Sequence, residues 1–184
     1  MRVVLFVGHK GVGTGATWEH LDEHELAHKA AISIGATLLM RGHDPFVVTG
    51  QGTNYIEQRV SLAAELAPDC AISCHFNAHD SDAHGCEVLY HPHDTSALGL
   101  AMMLGNKVAD QTEVRQRHPD TCGAFPRPGL KLLRYMKRVC PTVILEPLFL
   151  TSAIDRAVLD GPRYWQNLAR AAGDALHVWR CPNG

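Results

Sequence analysis

The sequence contains no apolar run long enough to cross a membrane and no excess of positive charge. A membrane-spanning helix needs about 18 or more consecutive apolar residues, so we expect no membrane span. The 17 Lys and Arg residues are balanced by 19 Asp and Glu residues, which gives a formal net charge of −2. This charge provides no basic field for a phosphate backbone, and we therefore expect no nucleic-acid partner.

The sequence shows neither a signal peptide nor a pattern of cysteines that indicates disulfides. The apolar run that follows Met1 and Arg2 is too short for the core of a signal peptide, so we expect the chain to remain in the compartment where it is made. The cysteines form no C-x-x-C pair, and without a secretory signal we interpret them as free thiols rather than as a disulfide framework. They are Cys70, Cys74, Cys86, Cys122, Cys140 and Cys181.

The chain also lacks repeats, linkers and low-complexity segments. Its 184 residues are enough for one well-packed domain and few for two. Apolar residues at 46% and charged residues at 20% are typical of a soluble globular protein. We therefore predict a single domain over residues 1–184.

Three apolar runs each end next to a residue that can bind a metal or carry a proton. Residues 3–7 lead to His9, residues 70–74 lead to His75, and residues 142–145 lead to Glu146. Runs of this kind indicate strands buried on both faces of a parallel sheet, so we predict an α/β fold with a mostly parallel twisted sheet and helices on both faces. Because such sheets place ligands at the carboxyl ends of their strands, the three residues are predicted to meet there.

Periodicity and turn residues predict the other elements. Residues 22–41 have apolar positions at helical spacing and end at Gly42, which predicts a helix of five turns. Residues 111–129 show no periodicity and are predicted to form a long functional or mobile loop. The remaining predictions are strands at 46–49, 85–90 and 130–133, helices at 54–66 and 97–109 with Ser96 as the cap of the second, and one broken or two successive helices over 154–179.

The loop after the first strand is rich in glycine. It resembles a phosphate-binding loop, but the template that begins at Gly8 places Thr14 where the lysine is required. A nucleotide-binding function is therefore disfavoured. We interpret the glycines as allowing a tight turn beside His9.

Three acidic residues lie near the start of the first helix: Glu19, Glu23 and Glu25. Acids at this end of a helix interact favourably with its dipole, and this explanation needs no further function. A ligand role for one of them is the alternative. The residues alone leave this choice open.

The order of the motifs resembles a known family. A strand ending in G-H is followed by an acid that opens the first helix, then by S-x-H-x-N-A from Ser73, G-x-E-V-x-Y from Gly85, and P-x-V-I-L-E-x-x-F-x-x-S from Pro141. This arrangement is similar to that of the zinc-dependent N-acetylmuramoyl-L-alanine amidases of the type 3 catalytic family, which are found in autolysins and phage endolysins. The resemblance extends from Val3 to about Asp155.

The resemblance implies a site and a cofactor. The family's zinc ligands correspond to His9, a glutamate near position 23, and His75, and its catalytic acid and base corresponds to Glu146. The family glutamate precedes the glycine that closes the helix by nineteen residues, which favours Glu23 and leaves Glu25 as the alternative. The chain departs from the family pattern after this acid, where E-x-x-x-N-L is replaced by the sequence EHELAH.

The resemblance also implies a substrate, which is peptidoglycan, cut between N-acetylmuramic acid and the L-alanine of the stem peptide. We assign substrate binding to Asn77, Arg115 and Arg117, because a guanidinium matches the geometry of a stem-peptide carboxylate. Arg127 is a further candidate, and surface arginines with no such role are the alternative. His79 and His84 either line the cleft or are ordinary loop residues.

Two other functions remain to be distinguished. A zinc peptidase of the carboxypeptidase type also combines histidines and glutamates, but it requires H-x-x-E and position 12 is a valine. A catalytically inactive peptidoglycan-binding module would be expected to lose Glu146 before the metal ligands. Glu146 is present, so we expect an enzyme that acts on the cell wall after release or export.

Overall fold

A computed structural model describes residues 1–80 and 82–180, which form a central six-stranded sheet with helices on both faces. The strands are β1 (Arg2–Val7), β2 (Thr17–Trp18), β3 (Leu21–Asp22), β4 (Asp44–Val48), β5 (Cys70–Cys74), β6 (Glu87–Tyr90), β7 (Ala124–Pro126) and β8 (Thr142–Glu146). The helices are α1 (Glu23–Met40), α2 (Tyr55–Leu66), α3 (Thr95–Thr112), α4 (Lys131–Met136), α5 (Ala153–Leu159) and α6 (Tyr164–Arg180), with a 3-10 turn at Pro119–Thr121.

The sheet has the order β4-β1-β5-β8-β6-β7. The first four strands are parallel, whereas β6 runs antiparallel to β8 and β7 runs parallel to β6. Strands β2 and β3 form a separate small hairpin. The predicted α/β class with a mostly parallel sheet is therefore confirmed.

The central strands are buried on both faces because both faces are apolar. In β1, Leu5 and Val7 pack into the larger core beneath α1, α3 and α6, whereas Val4 and Phe6 face the smaller core beneath α2 and α4. This follows from the alternation of side chains along a strand. Burial of β1, β5 and β8 between two helical layers fixes their carboxyl ends at one edge of the sheet.

The first helix begins one residue after a strong cap. Asp22 accepts a hydrogen bond from the backbone N–H of Glu25 at 3.1 Å, so Glu23 is the first helical residue. The helix ends at Met40, before Gly42 with a φ of +74°. The predicted helix over 22–41 is confirmed, and its cap determines which acid faces the sheet.

Two local predictions were wrong. Residues 130–133 were predicted as a strand, but α4 begins at Lys131, and the buried Leu132, Leu133 and Met136 give it helical spacing. The cap of α3 is Asp94, whose carboxylate accepts from the backbone N–H of Ala97 at 2.9 Å, rather than Ser96. The acid two residues earlier makes the capping bond and adds two residues to the helix.

The long irregular region also contains more order than its sequence indicated. Strand β7 and the 3-10 turn lie within residues 111–129, and β7 pairs with β6 at the edge of the sheet. The carboxyl third forms two helices, α5 and α6, on either side of Gly161 and Pro162. This resolves the alternative between one broken helix and two successive helices.

Two further expectations concern thiols and the membrane. The described cysteines at positions 70, 74, 86, 122 and 140 are free, whereas Cys181 lies outside the described residues. Burial raises the pKa of Cys74 to about 12, so this thiol is unreactive. Within residues 1–80 and 82–180, every helix is too short or too polar to span a bilayer.

Candidate active site

Three of the predicted site residues lie at the carboxyl edge of the sheet. Val7 pairs with Cys74, and Cys74 pairs with Leu145, so the ends of β1, β5 and β8 are in register. His75 and Glu146 follow directly, and His9 lies two residues beyond β1. The burial of three apolar strands therefore brings the side chains together, as their sequence positions predicted.

The loop between β1 and α1 returns a fourth side chain to this edge. Glu23 is only 5% exposed, and its carboxylate lies between the two imidazoles. Its Oε2 is 2.8 Å from Nε2 of His9, and its Oε1 is 2.9 Å from Nδ1 of His75. One ligand atom from each of the three residues lies within 4.8 Å of the others, which makes them a candidate metal centre.

The backbone fixes the orientation of this carboxylate. The N–H of Ala16 donates to Oε2 at 2.8 Å, and the N–H of Phe76 donates to Oε1 at 3.2 Å. Glu19 and Glu25 are exposed and do not belong to the cluster. The geometry therefore favours Glu23 over the two neighbouring acids as the third donor.

The charge states of the cluster suit a cation. Burial alone would raise the pKa of Glu23, but hydrogen bonds from His75 and His9 lower it well below its usual range. Burial lowers the pKa of His75, whereas the bond to Glu23 raises the pKa of His9. Two imidazoles and an ionised carboxylate are ligands of the kind that bind divalent metals. Each imidazole binds through a ring nitrogen that has lost its proton to make room for the metal.

The glycine-rich loop provides the space that this arrangement needs. A Cβ added to Gly15 would lie 2.6 Å from the ring of His9 and 2.7 Å from Oε2 of Glu23. A Cβ added to Gly8 would lie 2.6 Å from the carbonyl oxygen of Cys74. Real Cβ atoms do not approach other atoms so closely, and this agrees with the interpretation that the glycines allow close packing beside His9.

Glu146 lies at the end of β8, next to the cluster. Its Oε2 atom is buried and has no hydrogen-bond partner in the described part of the chain. Burial raises the pKa of this carboxyl well above its usual range, and repulsion from Glu23 and Glu87 raises it further, while Arg127 opposes the shift. A carboxyl group with a raised pKa can both accept and release a proton near neutral pH.

A buried acid beside Glu146 has no assigned role in the sequence prediction. Glu87 begins β6 and pairs directly with Glu146 across the antiparallel register, and it is 4% exposed. It accepts hydrogen bonds from Nδ2 of Asn77 at 2.7 Å and pairs with Nε2 of His118 at 3.1 Å and Nε of Arg117 at 3.2 Å. The G-x-E motif identified the residue, but only the antiparallel pairing places it opposite Glu146.

The predicted substrate-binding residues lie in two places. Asn77 and Arg117 both contact Glu87, and the guanidinium of Arg117 also lies 4.9 Å from the ring of Phe149. Arg115 is exposed, with Nη1 3.4 Å from Nε2 of His84. The structure therefore places Asn77 and Arg117 against Glu87, next to Glu146, whereas Arg115 lies on the protein surface.

The other loop candidates are more exposed. His79 lies 3.2 Å from the carboxylate of Asp80, and its side chain is half exposed. Arg127 is exposed and stacks over the ring of Phe125 at 5.0 Å. His118, which the sequence analysis did not single out, stacks on the same ring at 4.3 Å while it contacts Glu87.

Comparison with known proteins gives the family. The sequence profile described as N-acetylmuramoyl-L-alanine amidase matches residues 3–178. The chain belongs to this family. Among curated relatives of this amidase-family chain, the N-acetylmuramoyl-L-alanine amidase LytC of Bacillus subtilis is 29% identical over 171 residues. The match covers 91% of the chain but 33% of LytC, so the chain spans about a third of that relative's length.

Solved amidase structures share the fold. The CwlD amidase from Clostridioides difficile, determined in complex with the GerS lipoprotein, has a TM-score of 0.86 at 15% identity and covers 99% of both chains. The amidase Ami1 from Mycobacterium smegmatis has a TM-score of 0.85 at 18% identity, covering 97% of this chain and 96% of its own. The catalytic domain of the CD27L endolysin, which targets Clostridia difficile, has a TM-score of 0.82 at 20% identity, covering 96% and 97%.

Proposed function

We propose that this protein is a zinc-dependent peptidoglycan amidase that hydrolyses the bond between N-acetylmuramic acid and the L-alanine of the stem peptide. The observation that carries the proposal is the cluster of His9, Glu23 and His75 beside Glu146, whose buried Oε2 has no hydrogen-bond partner among the described residues. Membership of the amidase family supports the choice of bond. The same cluster in an unrelated chain would support only a metal-dependent hydrolase.

The donor set fits zinc. Nε2 of His9, Nδ1 of His75 and the carboxylate of Glu23 would hold the ion, and two nitrogens with one carboxylate are typical of catalytic rather than structural zinc sites. When bound, zinc lowers the pKa of a water molecule to about 7 and polarises a carbonyl group.

Glu146 completes the chemistry. Its free Oε2 accepts a proton from the attacking water, and the same oxygen then delivers this proton to the departing amine of L-alanine. Because burial, and then repulsion from Glu23 and Glu87, disfavours the ionised form, the pKa of Glu146 is raised and it holds a proton more readily than an ordinary glutamate. An unactivated amide needs this second step, because its amine is a poor leaving group until it is protonated.

Substrate binding involves the surroundings of Glu87 and the exposed loop. We assign Asn77 and Arg117, which both contact Glu87, to substrate binding, because a guanidinium matches the geometry of a stem-peptide carboxylate. Arg115 is available for the same purpose on the outer surface. The protein is expected to act on the cell wall after release or export.

Analysis of the products tests this proposal. Purified protein is incubated with peptidoglycan, and we expect new amino-terminal L-alanine without new reducing sugar ends. A chelator should abolish the release, and added zinc should restore it. New reducing ends would indicate a glycosidase, and binding without any new ends would indicate an inactive module; either result would contradict the proposal.

A further inference from the structure

A buried cation lies beside the candidate metal centre, where it lines a small cavity together with His9 and His75. Arg59 in α2 is 2% exposed, and no carboxylate in the described part of the chain forms an ion pair with it. Its Nε has no hydrogen-bond partner among these residues either. Burying a charge without a counter-ion is costly, so the position of Arg59 calls for a compensating contact.

The guanidinium makes that contact with the backbone of His9. Nη2 of Arg59 donates to the carbonyl oxygen of His9 at 2.5 Å. A bond from a charged donor is stronger than an ordinary amide bond, and burial strengthens it further. The bond therefore joins α2 to the residue that carries one of the imidazoles of the cluster.

His9 needs such a restraint. Its φ of +59° lies in the left-handed region, which residues with a side chain rarely adopt. The peptide that follows His9 is also held by the bond from the N–H of Lys10 to Oγ1 of Thr14 at 3.2 Å. These bonds fix the backbone so that Nε2 of His9 faces Glu23. A strained residue at a functional site persists only when its surroundings hold it.

The guanidinium is itself confined. The ring of Tyr55 lies 4.9 Å from its central carbon. A Cβ added to Gly50 would lie 2.9 Å from Nε of Arg59 and 3.1 Å from the carbonyl oxygen of Tyr55. Gly50 thus leaves room for the guanidinium and no more, so its direction is set by the packing.

We propose that Arg59 is a positioning residue that sets the metal affinity of the site through the carbonyl of His9. Its hydrogen bond is to the backbone of His9 and not to the imidazole. It acts by holding the His9 backbone in the conformation that directs the imidazole toward Glu23 and His75. The inference rests on the proposed metal site, and it adds a residue from α2 to the support of that site.

The test compares metal binding in matched variants. Arg59→Met keeps an unbranched apolar side chain and removes the guanidinium donor. We expect the zinc affinity, measured by competition with a coloured chelator, to fall about 10- to 100-fold. In the cobalt-substituted protein, the visible absorption bands should shift because the geometry around the metal changes. A role in folding alone would change neither quantity in protein that remains folded.

A second pair of variants avoids removing a buried charge. Gly50→Ala presses on Nε of Arg59 and should weaken zinc binding in the same direction. Gly129→Ala is the control, because its added Cβ meets no atom within 4 Å. If Arg59→Met does not fold, the comparison of zinc affinity between Gly50→Ala and Gly129→Ala tests the role of Arg59 by itself.

The failures of the two proposals are distinguishable. Wild-type affinity and an unchanged cobalt spectrum in Arg59→Met, or equal affinities of Gly50→Ala and Gly129→Ala, would overturn the role of Arg59 and leave the zinc site intact. Wild-type protein that binds no zinc would overturn the proposed function, and the role of Arg59 with it.

Discussion

Replacement of Glu146 by glutamine is expected to lower the rate of amide hydrolysis by about two orders of magnitude or more. Glutamine keeps the size of the side chain but cannot accept the proton of the attacking water. The zinc content should hardly change, because Glu146 is not among the three clustered donors. The melting temperature should not fall, because burial already favours the neutral form of this carboxyl.

The measurement is the rate at which new amino-terminal L-alanine appears, together with zinc content and thermal unfolding of the same preparation. Glu65→Gln is a suitable control, because Glu65 is exposed on α2 and belongs to neither the cluster nor its support. Loss of zinc in Glu146→Gln would make Glu146 a ligand. Retention of more than about a tenth of the activity would remove it from the proton transfer.

The second large effect is expected from Glu23→Ala. This change removes one of three donors together with the carboxylate that orders both imidazoles. We expect the zinc affinity to fall by more than the roughly 10- to 100-fold loss that removal of an outer partner causes. Zinc affinity is measured by chelator competition on folded protein.

Glu25→Ala and Glu19→Ala are the matched controls. Both side chains are exposed and lie within four residues of Glu23, so each control removes a nearby carboxylate without touching the cluster. Each should retain nearly the wild-type affinity. If Glu25→Ala proves the damaging change, Glu25 and not Glu23 is the third metal ligand.

The meeting of His9, His75 and Glu146 was predictable because it depends on strand pattern alone. Three buried parallel strands place their carboxyl ends at one edge whatever the detailed packing. The choice of Glu23 depended on a resemblance and on its spacing from Gly42. The capping bond to Asp22 gives that spacing its physical basis, because it makes Glu23 the first residue of the helix.

The surroundings of the site could not be predicted in the same way. The pairing of Glu87 with Glu146 depends on β6 running antiparallel to a strand more than fifty residues away, and no local pattern encodes that direction. Arg59 lies in an amphipathic helix, where a charged residue is ordinarily exposed. Its burial goes with its bond to the backbone carbonyl of His9, a contact between two distant segments that no local pattern reveals.

The wrong strand prediction has a simpler cause. Residues 130–133 are three leucines and one lysine, and a mostly apolar segment this short fits a strand or a helix equally well. The neighbouring Met136 adds the helical spacing, and its burial in the smaller core selects the helix. Asn77 and Arg117 were chosen as substrate contacts, and that role stays a prediction beside their observed contact with Glu87.

Metal analysis of wild-type protein and His75→Ala, both purified without chelator, tests the central claim most directly. His75 supplies one of the three donors, and its loss leaves only His9 and Glu23. We predict one zinc per chain in the wild type and little or none in the variant, with both proteins folded by circular dichroism. Full zinc occupancy in folded His75→Ala would contradict the assignment of the metal centre to this cluster.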